Sequence, residues 1–207
     1  DFEITNQVKP IKTYDERKVF KKPNIVIFII ESMGREYWGE LNKNRNIKNF
    51  ESFTPFLDSL SKHSLIFPNA FSTSRKSIHA MPSILAGVPS FETAYTSSYY
   101  SRQKLESIVS ISNALGYDTS FLHGAKNGSM GFQGFANTLG YDNYYGRDEF
   151  NDDNEYDGFW GIWDEPFLQF SKSILDNKNE PFLATIFTIT SHEPYIIPDK
   201  FKGMFDK

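Results

Sequence analysis

The sequence predicts an α/β fold with a largely parallel central sheet and flanking helices. Two continuous apolar runs, residues 24–30 (NIVIFII) and 182–189 (FLATIFTI), indicate strands, because unbroken β-branched and aromatic residues are typical of strands covered on both faces. Segments with the apolar spacing of helices lie between them, at residues 104–115 and 162–177. Strands that alternate with helices favour a parallel sheet.

Shorter elements fill the rest of the chain. Thr54 and Pro55 predict the start of a helix, since Pro fits the first helical position. Residues 77–87 predict a second helix that Gly87 ends, with Pro82 either kinking it or marking its first turn. The remaining predictions are a polar lead-in over residues 1–23, extended segments at 65–72, 118–122 and 141–146, and a helix within 131–140.

Composition excludes several functions. A formal net charge of -4 and a pI near 5.6 give no sign of a nucleic-acid-binding surface. The absence of Cys removes thiol nucleophiles, disulfides and Cys-ligated zinc. No window approaches the run of about 18 apolar residues that a membrane span needs. With 20 Phe and 11 Tyr, we expect a Phe-rich core with some rings left for a cleft.

Polar residues follow three of the predicted strands. Glu31 and Ser32 follow the first strand, His123 follows the strand that begins at residue 118, and residues 190–192 (TSH) follow the last. Each has a structural alternative, as a cap, a turn residue or a partner for a backbone carbonyl. In open α/β sheets ligands bind beyond the carboxyl ends of the strands, so we expect these side chains to share one edge.

A cluster of hydroxyls and cations precedes the helix at residues 77–87. Residues 72–77 read STSRKS. Capping of the first helical turn is the simpler interpretation, since Ser and Thr accept hydrogen bonds from its free N–H groups. The alternative is chemical, because a hydroxyl held beside cations at a helix start can attack a phosphorus or sulfur centre. Two simpler interpretations complete this survey: His79, inside the helix, is packed or exposed rather than reactive, and the acidic stretch 148–158 is a solvated loop rather than a metal site.

Four segments together resemble the extracytoplasmic catalytic domain of lipoteichoic acid synthase-like proteins. These are phosphoglycerol transferases of the sulfatase and alkaline phosphatase superfamily. The segments are residues 23–34 (PNIVIFIIESMG), 54–60 (TPFLDSL), 67–87 (FPNAFSTSRKSIHAMPSILAG) and 187–198 (FTITSHEPYIIP). The resemblance runs from about residue 23 to residue 198. It implies an alkaline phosphatase/sulfatase-like catalytic domain over residues 24–207, with residues 1–23 as a tether.

The resemblance also implies a metal site and a nucleophile. In the family, a carboxylate after the first strand and a Thr or Ser bind one divalent metal, usually manganese, with Mg²⁺, Zn²⁺ and Ca²⁺ as alternatives here. Glu31 falls on the carboxylate position. Ser77 falls on the position of the nucleophile, which directly follows a Lys and in related phosphoethanolamine transferases lies five residues before a Pro, as Ser77 lies before Pro82.

The substrate implied by the family is a lipid headgroup or another phospho- or sulfo-ester. Ser77 would attack the phosphorus, and Arg75 and Lys76 would offset the charge on the non-bridging oxygens. His192 matches a histidine that holds the substrate phosphate or assists the acceptor, and His123 resembles a position near the substrate. The parent protein would reach the membrane through an upstream segment and hold this domain in the periplasm or outside the cell.

Departures from the family pattern define the alternatives. Sulfatases carry paired Asp after the first strand and a Cys or Ser followed by x-Pro-x-Arg, whereas Ile-His-Ala-Met follows Ser77 here. The phospho-transfer branch is therefore the better match. The family's remaining ligands, an Asp-His pair, do not occur after residue 192. We therefore expect an N-terminal portion of the domain, inactive alone and with an incomplete metal site. The alternatives are a sulfuric ester hydrolase, a phosphoethanolamine transferase and a non-catalytic envelope-binding module.

Overall fold

The computed structural model describes residues 21–204, except residues 46, 49, 90 and 91. Most of the predicted lead-in at residues 1–23 lies outside the described residues. Within the described ranges, no helix is long and apolar enough to cross a bilayer.

Four parallel strands form one sheet. They are β1 (Ile25–Ile29), β2 (Asp118–His123), β3 (Asn143–Tyr145) and β4 (Phe182–Phe187), in the order β1-β4-β2-β3. Every pairing between neighbours is parallel, which confirms the predicted α/β class. β4 lies between β1 and β2 and is buried along its whole length. The strands predicted at residues 24–30, 118–122 and 182–189 are thus all present; β1 and β4 are shorter than predicted, and β2 extends one residue further to include His123.

Helices connect the strands on both sides of the sheet. The α-helices are α1 (Gly39–Asn42), α2 (Pro55–Ser61), α3 (Ala80–Ala86), α4 (Ile108–Ala114), α5 (Phe132–Leu139), α6 (Arg147–Phe150) and α7 (Asp164–Asp176). Short 3₁₀ helices cover Arg35–Tyr37, Lys43–Arg45, Ser77–His79, Tyr95–Ser97, Tyr99–Arg102, Ser129–Gly131, Asp153–Glu155 and Asp199–Phe201.

Local side-chain chemistry sets the helix ends. Gly87 ends α3 in a left-handed conformation, at φ 64°, as predicted, and Pro82 lies in the first turn of that helix. α4 begins at Ile108 rather than at residue 104, because Ser107 and Ser110 form a reciprocal capping box. In this box, Ser107 Oγ accepts the Ser110 N–H at 3.1 Å and Ser110 Oγ accepts the Ser107 N–H at 2.9 Å.

Two apolar clusters form the core, one on each face of the sheet. The cluster beneath α3, α4 and α5 contains Phe121, Phe132, Phe135 and Phe187, each at most 2% exposed. The cluster beneath α7 includes Phe167 with Leu122, Ile162 and Ile186. The expectation of a Phe-rich core is confirmed.

Apolar surface remains exposed on β1 and α2. Val26 and Phe28 are 39% and 55% exposed, so the prediction that β1 is covered on both faces is wrong for the described part of the chain. The physical reason is that β1 lies at the edge of the sheet, and no described element packs over these side chains. Phe56 and Leu60 of α2 are also exposed, by 75% and 50%.

Two further predictions differ from the structure. Residues 65–72 form turns and irregular backbone without a strand. The acidic stretch at residues 148–158 is largely exposed, but it contains α6 and the 3₁₀ helix Asp153–Glu155 rather than a continuous loop. Arg147 pairs with Asp153 at 2.8 Å across this stretch, which draws the two short helices together.

Candidate active site

The carboxyl ends of three strands lie side by side. Phe187 of β4 is paired in register with Ile29 of β1 and with His123 of β2. The Thr188 N–H continues the ladder and donates to the carbonyl of Ile29 at 3.0 Å. The residues after β1 and β4 and the last residue of β2 therefore share one edge of the sheet. We call this edge, with Glu31, His123 and residues 188–192, the rim.

Glu31 is tied to the rim by its own backbone. Its N–H donates to Thr188 Oγ1 at 2.9 Å, and its Oε1 accepts a hydrogen bond from Ser32 Oγ at 3.0 Å. Ser32 adopts a left-handed conformation, at φ 52°, which turns the chain directly after the strand. The Glu31 residue is 8% exposed. A carboxylate is thus held nearly buried at the strand end.

His123 is buried and neutral near pH 7. Its Nδ1 lies 2.9 Å from the carbonyl oxygen of Phe187, which can only accept, so Nδ1 carries the proton. Burial lowers the pKa of His123 to about 4, against smaller opposing effects of that hydrogen bond and of the Glu31 charge. Nε2 has no hydrogen-bond partner among the described residues, although the residue is only 1% exposed. The rim therefore contains an unused buried acceptor.

Asp164 is a second carboxylate near the rim. It accepts the N–H groups of Ile189 and Thr190 at 2.8 and 3.0 Å, and its own N–H donates to Thr190 Oγ1 at 2.7 Å. Burial raises its pKa, and the Glu31 charge acts in the same direction, against the hydrogen bonds that lower it. Sequence reasoning missed Asp164, because its position at the start of α7 indicated only a helix terminus.

His192 lies four residues along the chain from Thr188 and contacts a tryptophan. Its ring centroid is 4.1 Å from that of Trp160, with the two planes inclined by 45°. The carbonyl oxygen of Glu193 lies 2.9 Å from His192 Nδ1 and accepts the Trp160 Nε1–H at 2.7 Å. The imidazole is therefore fixed on one face and at one nitrogen.

Ser77 opens the 3₁₀ helix that leads into α3. Its residue is half-buried, and its hydroxyl makes no hydrogen bond to any residue that the structure describes. The next residues anchor the turn in the core: Met81 is fully buried and Ile78 packs against the same cluster as Ile29. Ser77 is thus held in place by its backbone and neighbours while its hydroxyl is left without an internal partner.

The other hydroxyls of this stretch do not cap the helix. No side chain accepts a capping bond at the start of the 3₁₀ helix or of α3, so the capping interpretation is wrong. Ser74 Oγ instead accepts the Lys76 N–H at 3.3 Å, and Ser72 Oγ donates to the carbonyl of Ser74 at 2.8 Å. Short Ser side chains compete for nearby backbone groups in this way and form tight turns. We call residues 72–77 the hydroxyl turn.

A cavity of about 310 Å³ lies beside the hydroxyl turn. Its polar lining comes from Ser72–Ser74, Lys76, His79 and Ser83. His79 is 6% exposed and is therefore packed rather than exposed, whereas Arg75 and Lys76 are exposed. Among the described residues, no hydrogen bond or ion pair joins Ser77, Arg75 or Lys76 to Glu31, His123 or His192. The structure thus places Glu31 and His123 at adjoining strand ends, with His192 in the segment that follows β4, and shows no hydrogen bond or ion pair from the described hydroxyl turn to them.

The described residues do not complete a metal site. They contain no group of three or more His, Cys, Asp and Glu side chains placed to hold an ion. Tightly held divalent metals in proteins are bound by at least three protein groups or by several oxygen ligands. The described residues therefore do not make up a metal site by themselves, and binding of a metal would need further ligands.

Comparison with known proteins identifies the family. The Sulfatase family model matches residues 23–207. The chain is 26% identical to lipoteichoic acid synthase 1 of Bacillus subtilis over 161 residues, which are 73% of this chain and 25% of that protein. It is also 26% identical to the lipoteichoic acid synthase of Staphylococcus saprophyticus, over 94% of this chain and 30% of that protein. The chain therefore spans between a quarter and a third of the length of these relatives.

Solved structures show the same fold. A protein of the alkaline phosphatase superfamily from Vibrio parahaemolyticus matches with a TM-score of 0.77 and 23% identity, over 91% of this chain and 45% of that one. The lipoteichoic acid synthase LtaP from Listeria monocytogenes gives 0.75 and 24%, over 87% and 43%. The C-terminal periplasmic domain of EcEptC from Escherichia coli, solved in complex with Zn, gives 0.59 and 20%, over 90% and 50%. The chain therefore belongs to the sulfatase family of enzymes and has the α/β fold of the alkaline phosphatase superfamily.

Proposed function

We propose that the chain is the N-terminal portion of the catalytic domain of a phosphoester transferase that moves a phosphoglycerol-type headgroup from a lipid donor to an acceptor hydroxyl. The observation that carries this proposal is the grouping of Glu31, His123 and the His192 segment at one edge of the sheet. The similarity to lipoteichoic acid synthases supports the choice of phosphoglycerol over a sulfate ester.

Ser77 is the proposed nucleophile. Its Oγ attacks the phosphorus and gives up its proton, the bond from phosphorus to the diacylglycerol oxygen breaks, and that oxygen takes up a proton as diacylglycerol leaves. The headgroup is then held on Ser77 as a phosphodiester. An acceptor hydroxyl attacks the same phosphorus, loses its proton and restores the free Ser77 hydroxyl. The Ser77 hydroxyl has no hydrogen-bond partner among the described residues, so the group that activates it would have to be a bound metal or a residue outside them.

Charge on the phosphate oxygens requires cations at the site. Arg75 and Lys76 precede Ser77 directly and are exposed, so they can turn towards a bound headgroup. Neutral His123 cannot supply a positive charge near pH 7, because its pKa is about 4. We assign it instead to hydrogen bonding, and we assign His192 to the substrate phosphate or to the acceptor hydroxyl. The net charge of -4 does not oppose anion binding, since local groups set the field at a site.

A divalent metal is part of the proposal, with Glu31 and Ser77 as two of its ligands. The remaining ligands would come from a segment outside these 207 residues. A bound metal lowers the pKa of a coordinated hydroxyl and so favours the reactive alkoxide. The family resemblance favours Mn²⁺, and the EcEptC domain was solved with Zn. Metal identity and the full ligand set belong to the proposal.

The proposed location is the outer face of a membrane. A headgroup transferase has to meet its donor at a bilayer surface, and the similar EcEptC domain is periplasmic. The lead-in at residues 1–23 contains six Lys and Arg side chains and would tether the domain to an upstream membrane segment.

The test replaces Ser77 by Ala in the full-length protein. With phosphatidylglycerol vesicles and Mn²⁺, we expect diacylglycerol release to fall at least about a thousandfold, because loss of the nucleophile in enzymes of this kind removes most of the acceleration. Folding should be retained, since one partly exposed hydroxyl without a partner contributes little to stability.

Ser101→Ala is the matched control. Ser101 also lies in a 3₁₀ helix, but its hydroxyl donates to the carbonyl of Ser98 at 2.8 Å. We expect this variant to release diacylglycerol at close to the wild-type rate. Equal activity of Ser77→Ala and Ser101→Ala would refute the assignment of Ser77.

A further inference from the structure

The segment at residues 157–164 (DGFWGIWD) connects two strand ends of the rim, and we call it the 157–164 loop. Ile162 donates its N–H to the carbonyl of Gly124 at 2.9 Å, directly after β2. A Cβ on Gly161 would come within 2.5 Å of that same carbonyl oxygen, so this close approach requires glycine. At its other end, Asp164 binds the backbone of residues 189 and 190 after β4.

Asp157 fixes the middle of the 157–164 loop. Its Oδ1 accepts three backbone N–H groups, from Phe159 and Trp160 at 2.8 Å and from Gly161 at 3.1 Å. Hydrogen bonds from N–H groups to a carboxylate are charge-assisted and strong, so they stabilise the conformation of a turn. The backbone of Trp160 is therefore held at both of its neighbours, and its side chain projects from a fixed base.

Trp160 contacts the His192 ring and shares a hydrogen-bond acceptor with it. The rings lie 4.1 Å apart between centroids, and the Trp160 Nε1–H donates to the Glu193 carbonyl that also contacts His192 Nδ1. Because that carbonyl oxygen can only accept, both nitrogens that point at it must carry hydrogen. Neutral His192 is therefore protonated on Nδ1, and its lone pair is on Nε2.

We propose that Trp160 is a positioning residue that holds the ring plane of His192 and also holds the Glu193 carbonyl that fixes the Nδ1–H tautomer, so that Nε2 is presented to the substrate as a hydrogen-bond acceptor. Nε2 of neutral His192 can only accept a hydrogen bond. It therefore contacts a hydroxyl or another donor rather than an ionised phosphate oxygen, which has no hydrogen to donate. Neither the tautomer nor the contact depends on the reaction. The acceptor hydroxyl as the bound group rests on the proposed function.

The tautomer can be measured directly on the 207-residue chain without substrate. The chain has four His residues, so the ¹⁵N signals of His192 in a ¹H–¹⁵N multiple-bond spectrum can be assigned with His192→Gln. At pH 8.5 we expect a protonated, pyrrole-type Nδ1 and a pyridine-type Nε2 in the wild type. Trp160→Ala should shift His192 towards a mixture of both tautomers, and Trp160→Phe, which keeps a ring but loses the N–H donor, should shift it less.

Phe159→Ala is the matched control for the spectrum. Phe159 belongs to the same loop and is 62% exposed, and its bond to Asp157 uses only the backbone. The His192 signals of Phe159→Ala should equal those of the wild type. A wild-type His192 that is protonated mainly on Nε2 would overturn the proposal. So would His192 signals that neither Trp160 variant changes.

Kinetics of the full-length protein separate positioning from simple loss of structure. We expect Trp160→Ala to lower kcat about tenfold to a hundredfold, with KM changed less than about threefold, because misplacing an acting group by an ångström costs on this scale. An unchanged kcat would contradict the positioning role. Absence of transferase activity in the wild type would count against the proposed function alone, since the spectrum is read without substrate.

Discussion

The rim and the hydroxyl turn are built in opposite ways. At the rim, Glu31 and His123 are 8% and 1% exposed, and each is tied by a hydrogen bond to the backbone or side chain of a neighbouring strand end. In the hydroxyl turn, Arg75 and Lys76 are exposed and the Ser77 hydroxyl has no partner among the described residues. Glu31 and His123 are thus fixed by hydrogen bonds at the strand ends, whereas the proposed reacting hydroxyl lies on an anchored backbone without a hydrogen bond to any described residue.

Among these predictions, Glu31→Gln at the rim should have the largest effect on turnover. The Gln amide keeps the size of the side chain and can still accept a hydrogen bond from Ser32. It lacks the negatively charged carboxylate that we propose as a metal ligand. We expect turnover of the full-length protein to fall at least about a thousandfold, equivalent to about 4 kcal/mol of barrier, measured as diacylglycerol release. Glu165→Gln, at an exposed carboxylate that pairs with Lys200, is the control and should leave turnover unchanged. A Glu31→Gln protein with a tenth or more of wild-type activity would contradict the assignment.

His123 should make the stability of the rim depend on pH. Its pKa in the folded protein is about 4, below the ordinary value of 6.5, so the unfolded chain binds its proton first. The stability associated with neutral His123 is fully present above about pH 6.5 and is lost as the pH falls towards 4. The expected loss is about 3 kcal/mol of unfolding free energy. Denaturant unfolding at several pH values measures it.

Two variants isolate this contribution of His123. His123→Gln should flatten the dependence between pH 6.5 and 4, whereas His63→Gln, at an exposed histidine, should retain it. Equal pH dependence in the two variants would show that His123 is not held neutral by burial.

Thr190 gives a smaller and more local effect. Its hydroxyl accepts the Asp164 N–H at 2.7 Å, so Thr190→Val leaves this partly buried donor without a partner. We expect a loss of about 1 to 2 kcal/mol of unfolding free energy, as is typical when a buried hydrogen-bonding group loses its partner. Thr190→Ser keeps the hydroxyl and should recover most of it in urea unfolding. A Val variant as stable as the Ser variant would show that the clamp between Asp164 and Thr190 contributes nothing.

The sequence predicts the rim better than it predicts what holds the rim. Parallel strands bring their carboxyl ends to one edge, so the positions of Glu31 and His123 follow from strand order along the chain. The contacts of Trp160 and Asp164 depend instead on where an irregular loop lies between two strand ends, and no local pattern encodes that. From the sequence alone, Trp160 is one aromatic residue among many and Asp164 indicates only the start of a helix.

Two of the predictions that differ from the structure were wrong for related reasons. An apolar run such as residues 24–30 predicts a strand, but it does not say which elements cover its faces, and Val26 and Phe28 are exposed in the described chain. Hydroxyls near a helix start satisfy N-cap statistics, but Ser72 and Ser74 bind the backbone of their own turn. In both cases the sequence predicted the kind of structure correctly, a strand or a hydrogen bond to backbone, but not the groups that the side chains contact.

The most direct test of the central claim is to find the covalent intermediate. Full-length protein given phosphatidylglycerol, without an acceptor and quenched in acid, should carry one glycerophosphate group, located by peptide mass spectrometry. We expect the added mass on Ser77 and none in Ser77→Ala. Modification of Ser72 or Ser74 instead, or labelling that persists in Ser77→Ala, would contradict the account of the hydroxyl turn.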